Sequence, residues 1–231
     1  MKQLLTEDRP IEGDTRDRLL EAGLRLFAAR GFDSVSTREL TRAAGVNIAA
    51  IGYHFGGKEE LYLAVIQRQV EETEPLIGPV TRRLMEAVRA SKGDRDILAR
   101  VAANFVTGML RAFLGNERMR LRAAVILREY AQPSEGFDIL FRGRMESLHK
   151  AVTELAAAAI GRDPEEPESV IRAHAIMGQI IIFFIARVVL WARLGCEDYD
   201  AETLERIERE LTASVLASLG LPQAKAAGGG S

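Results

Sequence analysis

The chain has 231 residues, 47% hydrophobic and 28% charged, which is ordinary for a soluble globular protein of one large domain or two small ones. A net charge of −2 gives no overall signal for nucleic acid, and one cysteine, Cys196, excludes an intrachain disulfide framework and fits a reducing cytoplasm. Aromatics are few and Ala, Leu and Arg dominate, which favours helices over strands.

Residues 1–13 are polar and aperiodic and read as a flexible arm, in which acids surround Lys2 and Arg9. No signal-peptide pattern is present there. Asp14 or Thr15 caps a first helix that carries Leu19, Ala22, Leu26 and Phe27 inward and ends at Arg30, before Gly31. Phe32 and Val35 seal the turn that follows. Thr37 caps a second helix through Leu40 and Ala43 to Gly45, and small Ala43 and Ala44 permit a close helix crossing. Asn47 caps a third, short helix. Val46, Ile51 and Phe55 face inward at helical spacing, which turns Ala49, Ala50, Gly52, Tyr53 and His54 outward. Two short helices at an angle, the second exposing small residues, make a helix-turn-helix that can lie in a major groove. From Ser34 to Lys58 the cations Arg38, Arg42 and Lys58 stand against Glu39 alone, so 3 − 1 = +2 locally. A local basic face can act on phosphates despite an acidic remainder, because screening confines it to roughly 10 Å.

At these residues the chain resembles the TetR family of bacterial one-component repressors. The resemblance rests on Ser36, Thr37, Arg38, Leu40, Ala43, Gly45 and Val46, then on Tyr53, His54, Phe55, Lys58, Glu59 and Leu61. The wording NIAAIGYHFGGKEELYLAV looks closest to the CecR (YbiH)-like subgroup. LREYAQPSEGF from Leu127 and FFIARVVLWARLG from Phe183 resemble it more loosely. The resemblance implies base and groove contacts at Ile48, Ala49, Ala50 and Gly52, with Asn47 in the same DNA-binding set. It implies phosphate contacts at Thr37, Tyr53, His54 and Lys58, and a mixed contact at Arg38. Gly52 to Lys58 also fits the start of a phosphate-binding loop, G-x-x-x-x-G-K, but Glu59 stands where Ser or Thr should bind magnesium and no strand precedes it.

The remaining chain has helical period throughout. Glu59 to Glu74 reads as a lever helix ended by Pro75 and Pro79, and Val80, Leu84 and Val88 mark a short helix after it. Lys58 at the first turn of that lever is an odd place for a cation unless a phosphate sits there. Ile97, Val101, Phe105 and Met109 mark the next helix, closed near Gly115. Met119, Ala123, Ile126 and Tyr130 mark another, broken by Pro133. Phe137, Phe141, Leu148, Val152 and Leu155 run through a long helix to Gly161. A long penultimate helix starts at Glu165 or Pro167, and its centre, Ile180 to Ala186, is apolar all round and must be covered. Gln179, Arg187 and Arg193 argue against a membrane span. Leu204, Ile207, Leu211, Val215 and Leu219 stripe the final helix. Two such helices can pair with their twins in a second chain, as the TetR family does. Leu221 to Ser231 reads as a disordered tail, and its GGGS end has the look of an added linker.

Enzyme chemistry finds no support. His54, His149 and His174 lie on separate helices without ligand spacing, and no nucleophile elbow or glycine-rich cradle is present. No metal or cofactor is implied. The resemblance implies a small-molecule pocket, for which Phe105, Met109, Arg128, Glu129, Phe137, His174, Met177 and Phe183 are candidates; ordinary core packing accounts for each equally well.

The expectation is an all-α protein of about ten helices. It has a flexible arm (1–13), a three-helix helix-turn-helix DNA-binding domain (14–57), a larger effector-binding and dimerisation domain (58–220) and a disordered tail (221–231). Its expected function is that of a cytoplasmic, homodimeric, ligand-responsive repressor. It would hold a palindromic operator with reading helices about 34–36 Å apart and be released by an unidentified small-molecule effector. The alternative is a helical protein-interaction module with a vestigial helix-turn-helix.

Overall fold

The computed structural model describes residues 12–114 and 117–223, without the side chains of 117–121 and 123. Lys2 and Arg9 of the arm, Gly115, the side chains of Met119 and Ala123, and the tail from 224 with its GGGS end lie outside the described residues. The helices are α1 Thr15–Arg30, α2 Thr37–Ala44, α3 Ala49–Phe55, α4 Lys58–Ser91, α5 Arg95–Leu114, α6 Glu117–Ala131, α7 Glu135–Leu140, α8 Glu146–Ile160, α9 Pro167–Ile185, α10 Arg187–Leu194 and α11 Ala201–Ser218. A π-helical turn, Phe141–Met145, joins α7 to α8, and no strand occurs among the described residues. The chain is all-α.

These residues cluster into two compact units, one holding the chain up to Pro75 together with Glu117–Met145, the other holding the rest. In the first, Leu19 and Phe27 of α1, Leu40 of α2, Ile51 of α3, Leu61 and Val65 of α4, Val125 of α6 and Leu140 of α7 form one buried cluster. A three-helix head buries too little apolar surface to stand alone. Here α6 and α7 complete its core along with α4. The approach is close: a Cβ on Gly136 of α7 would overlap Cδ1 of Ile66, so a larger residue there would have to displace that side chain.

Four local expectations change. Ser36 caps α2, not Thr37. Its backbone is extended, its hydroxyl accepts from Glu39 N, and the Glu39 carboxylate returns a bond to Ser36 N. This is a capping box, and the S-x-x-E spacing at 36–39 is its sequence signature. Second, Ala43 is exposed, so only Ala44 serves the helix crossing.

Third, α4 does not stop at Pro75 or Pro79 but runs for 34 residues through both. Each proline removes one ladder bond, at a cost of roughly 3 kcal/mol in a helix interior. Burial of Val70, Ile77 and Leu84 on either side offsets that loss. Thr73 Oγ1 and Thr81 Oγ1 bond Gln69 O at 2.5 Å and Ile77 O at 3.0 Å, which satisfies two buried hydroxyls but not the carbonyls the prolines free.

Fourth, the long penultimate helix divides at Ala186 (φ −99°, ψ 22°) into α9 and α10. Arg187 Nη1 donates to Phe184 O at 2.9 Å there and satisfies a carbonyl at the end of α9.

In the second unit α5 packs against α8, α9 and α11. Leu98, Phe105 and Met109 of α5 are buried, and Thr107 Oγ1 donates to Glu208 Oε1 of α11 at 2.7 Å. The stripe Ile207, Leu211, Val215 on α11 is therefore used inside the chain and is not free for a partner. Leu221, expected to open the tail, is buried and donates its amide to Leu216 O. Helices α5 and α9 are each long and apolar enough to cross a membrane by length and composition. In α5 that composition serves the core. On α9 and α10 it leaves Ile171, Ile182, Ile185, Val188, Val189 and Leu194 exposed, and α10 buries no residue at all.

Candidate nucleic-acid interface

The head holds α3 through its neighbours. Gly45 ends α2 in the left-handed region (φ 63°), and Val46 N closes the turn on Thr41 O at 2.9 Å. Arg18 Nη2 of α1 donates to Gly45 O at 2.9 Å, so the first helix clamps the turn between α2 and α3. A Cβ at Gly45 would lie 2.5 Å from that same nitrogen. Asn47 Oδ1 accepts from Ala49 N at 2.9 Å, but Ile48, with helical angles and no side-chain cap bond, is the residue at the N-cap of α3, so Asn47 stands one position before the cap expected of it.

Ile51 is buried and Val46 and Phe55 pack against the same core, which orients the opposite face of α3 outward. On that face Ile48, Ala49, Gly52 and Tyr53 are exposed, Tyr53 at 86% of its surface, and nothing lies within 4 Å of where a Gly52 Cβ would be. His54 is half-buried and stands edge-on to Tyr53 at 4.9 Å between ring centroids. Ala50 turns partly toward the core. On α2, Arg38 and Arg42 are exposed and Thr37 is half-buried at the first turn.

Lys58 is placed differently. Its ammonium donates to Phe32 O at 2.9 Å and lies 4.1 Å from the centroid of the Phe32 ring. The cation that looked out of place at a helix N-terminus therefore has an internal partner in the α1–α2 turn. Arg30 anchors the same turn, bonding Glu39 Oε1 at 2.6 Å and the carbonyl of Ser34. The Ser36 amide and hydroxyl, with Arg30, hold the Glu39 carboxyl at about 2, well below the usual carboxylate range. Neither contact of Arg30 follows from local spacing.

The residues expected to line an effector pocket divide between the units. In the second, Phe105 and Met109 are buried core residues, Met177 and Phe183 are half-buried, and His174 is exposed. His174 stands 5.8 Å from the ring of His149, a proximity the sequence did not disclose; burial and that neighbour depress the His149 pKa. In the first unit Phe137 is half-buried and stacks on Phe141 at 5.8 Å. Arg128 and Glu129 reach the wall of a cavity of about 430 Å³, shared with Phe32, Tyr62 and Ser134. Arg128 Nη2 donates to Ala29 O at 3.3 Å. Glu129 is 2% exposed and accepts from Tyr62 OH at 2.5 Å, Ser134 N at 2.9 Å and Ser134 Oγ at 2.8 Å. Its charge thus ties α4, α6 and the cap of α7 together. No group of three or more His, Cys, Asp or Glu among the described residues is placed to hold a metal ion.

Residues 19–65 match the family described as "Bacterial regulatory proteins, tetR family", and residues 101–220 match "HTH-type transcriptional dual regulator CecR, C-terminal domain". The CecR regulator of Shigella flexneri is 28% identical over 206 residues, spanning 89% of this chain and 92% of that protein. The repressor AcnR of Corynebacterium efficiens is 40% identical over 91 residues, or 39% of this chain and 46% of its own length. A transcriptional regulator from Rhodococcus has a similar fold, with a TM-score of 0.53 and 23% identity over 88% of this chain and 97% of that one.

Proposed function

Because the chain belongs to the TetR family and carries a CecR-type C-terminal domain, we propose that it is a ligand-responsive transcriptional repressor. On this reading it binds a palindromic operator as a homodimer and leaves it when a small-molecule effector binds. The observation that carries the proposal is the outer face of α3. Ile48, Ala49, Gly52 and Tyr53 are exposed there, and none of their side chains serves the core. Small residues let the helix approach base edges, and Ala49 suits contact with a thymine methyl. Arg38 is exposed on the neighbouring helix and suits bidentate guanine readout. Tyr53, Thr37, Asn47 and His54 border this face and are proposed to meet the backbone, with Ala50 at its inner edge. Lys58 contributes through its remaining N–H donors and the amides of the first turn of α4.

Residues 14–57 are the reading domain on this proposal, and 58–220 carry effector response and dimerisation. The exposed apolar residues of α9 and α10 are the surface for a second copy. The protein works in the cytoplasm and catalyses no reaction.

Selection of bound sequences from random duplex DNA, with the salt dependence of the winner's affinity, tests the proposal. A palindromic consensus with a steep salt slope is expected. A folded chain that enriches no sequence would favour the interaction-module reading.

A further inference from the structure

Residues 136, 140, 144 and 148 form a row at spacing four, and all four are buried: Gly136, Leu140, Arg144 and Leu148. Three of them suit a buried face. Arg144 does not. It lies in the π-helical turn, is 8% exposed, and its Nη1 donates to Thr73 Oγ1 of α4 at 2.7 Å. Among the described residues no carboxylate pairs with it within ion-pair distance. Burial lowers its pKa, with Arg122 adding repulsion and Tyr130 and Glu74 acting in the opposite sense. Arg122 is itself engaged with the Glu72 carboxylate.

A buried guanidinium with five donors and one neutral hydroxyl partner is a costly arrangement that a Met or Leu would remove. A second unmet group lies one turn earlier on α4. Gln69 is 2% exposed, and its Oε1 has no partner among the described residues. Thr73 links the two, accepting from Arg144 and donating to Gln69 O at 2.5 Å. The surroundings are apolar, with Ile66, Val70 and Leu140 buried. Short π-helical turns are frequent at functional sites because they turn one side chain out of the regular register.

We infer that Arg144 and Gln69 form the polar end of the effector site, and that the effector is a hydrophobic carboxylic acid with a hydroxyl or N–H near its carboxylate. The inference rests on the regulator reading above and names the effector class within it. A guanidinium that no carboxylate meets within ion-pair distance among the described residues, with Glu74 acting on it only at longer range, matches a monoanion better than a phosphate dianion. The planar fork meets both carboxylate oxygens. Gln69 Oε1 accepts from the adjacent donor, and the apolar body lies against Val70 and Leu140.

Calorimetry on the full chain with salicylate, 3-hydroxy-2-naphthoate and 3-hydroxydecanoate, each against its primary amide, tests this. At least one acid is expected to bind saturably, with its amide weaker by roughly tenfold or more, the loss of one charge-assisted pair. Arg144→Met should abolish that preference, and Arg144→Lys should keep part of it. Without ligand, Arg144→Met should melt at or above the wild-type temperature, because it removes a buried charge that has no ion pair among the described residues. The inference is overturned if none of the acids binds, if the preference survives in Arg144→Met, or if ligand-free Arg144→Met melts well below wild type. Retention of selected operator DNA by the wild-type chain is measured on the same samples. Loss of that retention counts against the regulator reading, whereas failed acid binding with retention intact counts against this inference alone.

Discussion

The Lys58 ammonium donates to the carbonyl oxygen of Phe32 at 2.9 Å and sits 4.1 Å from the centroid of that residue's ring. One side chain thus joins the first turn of α4 to the α1–α2 turn, next to the face proposed to meet DNA. Lys58→Met should lower head stability by about 1–2 kcal/mol through the lost hydrogen bond and cation–π contact. If Lys58 also meets a phosphate, the salt slope of operator binding falls by about 1 per lysine removed. Thermal melts and a salt titration of the same variant separate the two roles. A destabilised variant with an unchanged slope would assign Lys58 to the fold alone.

Gly45 is favoured by its φ of 63°, and a Cβ there would also displace the Arg18 guanidinium, whose nitrogen lies 2.5 Å away. Gly45→Ala should cost about 1–2 kcal/mol in backbone strain, plus displacement of Arg18. Operator affinity should fall further than stability does, because the turn sets the angle of α3. A denaturant melt and a binding isotherm provide the two numbers. A Gly45→Ala variant as stable as wild type, with the same structure, would contradict the clamp.

Tyr62→Phe removes the donor that Glu129 receives at 2.5 Å and leaves a buried carboxylate with the two Ser134 donors. A loss of about 1–3 kcal/mol is expected. Burial and the hydrogen bond to Glu129 hold the Tyr62 phenol above its usual pKa, so it should remain protonated at pH 10. Ultraviolet titration checks the second point, and a phenol ionising at its ordinary pH would refute it.

Glu39 has a folded pKa of about 2 against an ordinary 4.5. A depressed carboxyl stabilises the fold above its unfolded pKa, and that contribution disappears as pH falls through the folded value. The capping box should therefore be fully effective above about pH 4.5 and weaken progressively down to about pH 2. Melts of wild type and Glu39→Gln should differ at pH 6 and converge toward pH 2. A constant difference across that window would show that Glu39 does not titrate as described.

Val189 on α10 is 62% exposed and has no core role. Val189→Glu should leave the single-chain fold intact while placing a charge in the proposed homodimer face. Light scattering is expected to give a dimer for wild type and a larger monomer fraction for the variant, with weaker operator binding. A variant that dimerises as well as wild type would move the interface elsewhere.

The sequence by itself determined the helical class, the limits of α1 and the two helices of the reading motif. These depend on local chemistry: Asp14 and Asn47 accept backbone amides at helix starts, Gly31 and Gly45 take positive φ, and Ile51 repeats at the spacing that hides one face of α3. Periodicity also identified Leu211 and Val215 as buried, but it could not say by what. Only the tertiary structure decided that α5 covers them and that the uncovered apolar face lies on α9 and α10. It also decided that α4 passes through two prolines, because packing on both sides outweighs two lost ladder bonds. Phe32, Tyr62 and Thr73, which bond Lys58, Glu129 and Arg144, lie 26, 67 and 71 residues away from them in the chain. Helical period fixes which side of a helix a residue occupies. What stands opposite it is set by how the chain closes over long separations, and there the polar contacts of this protein were decided.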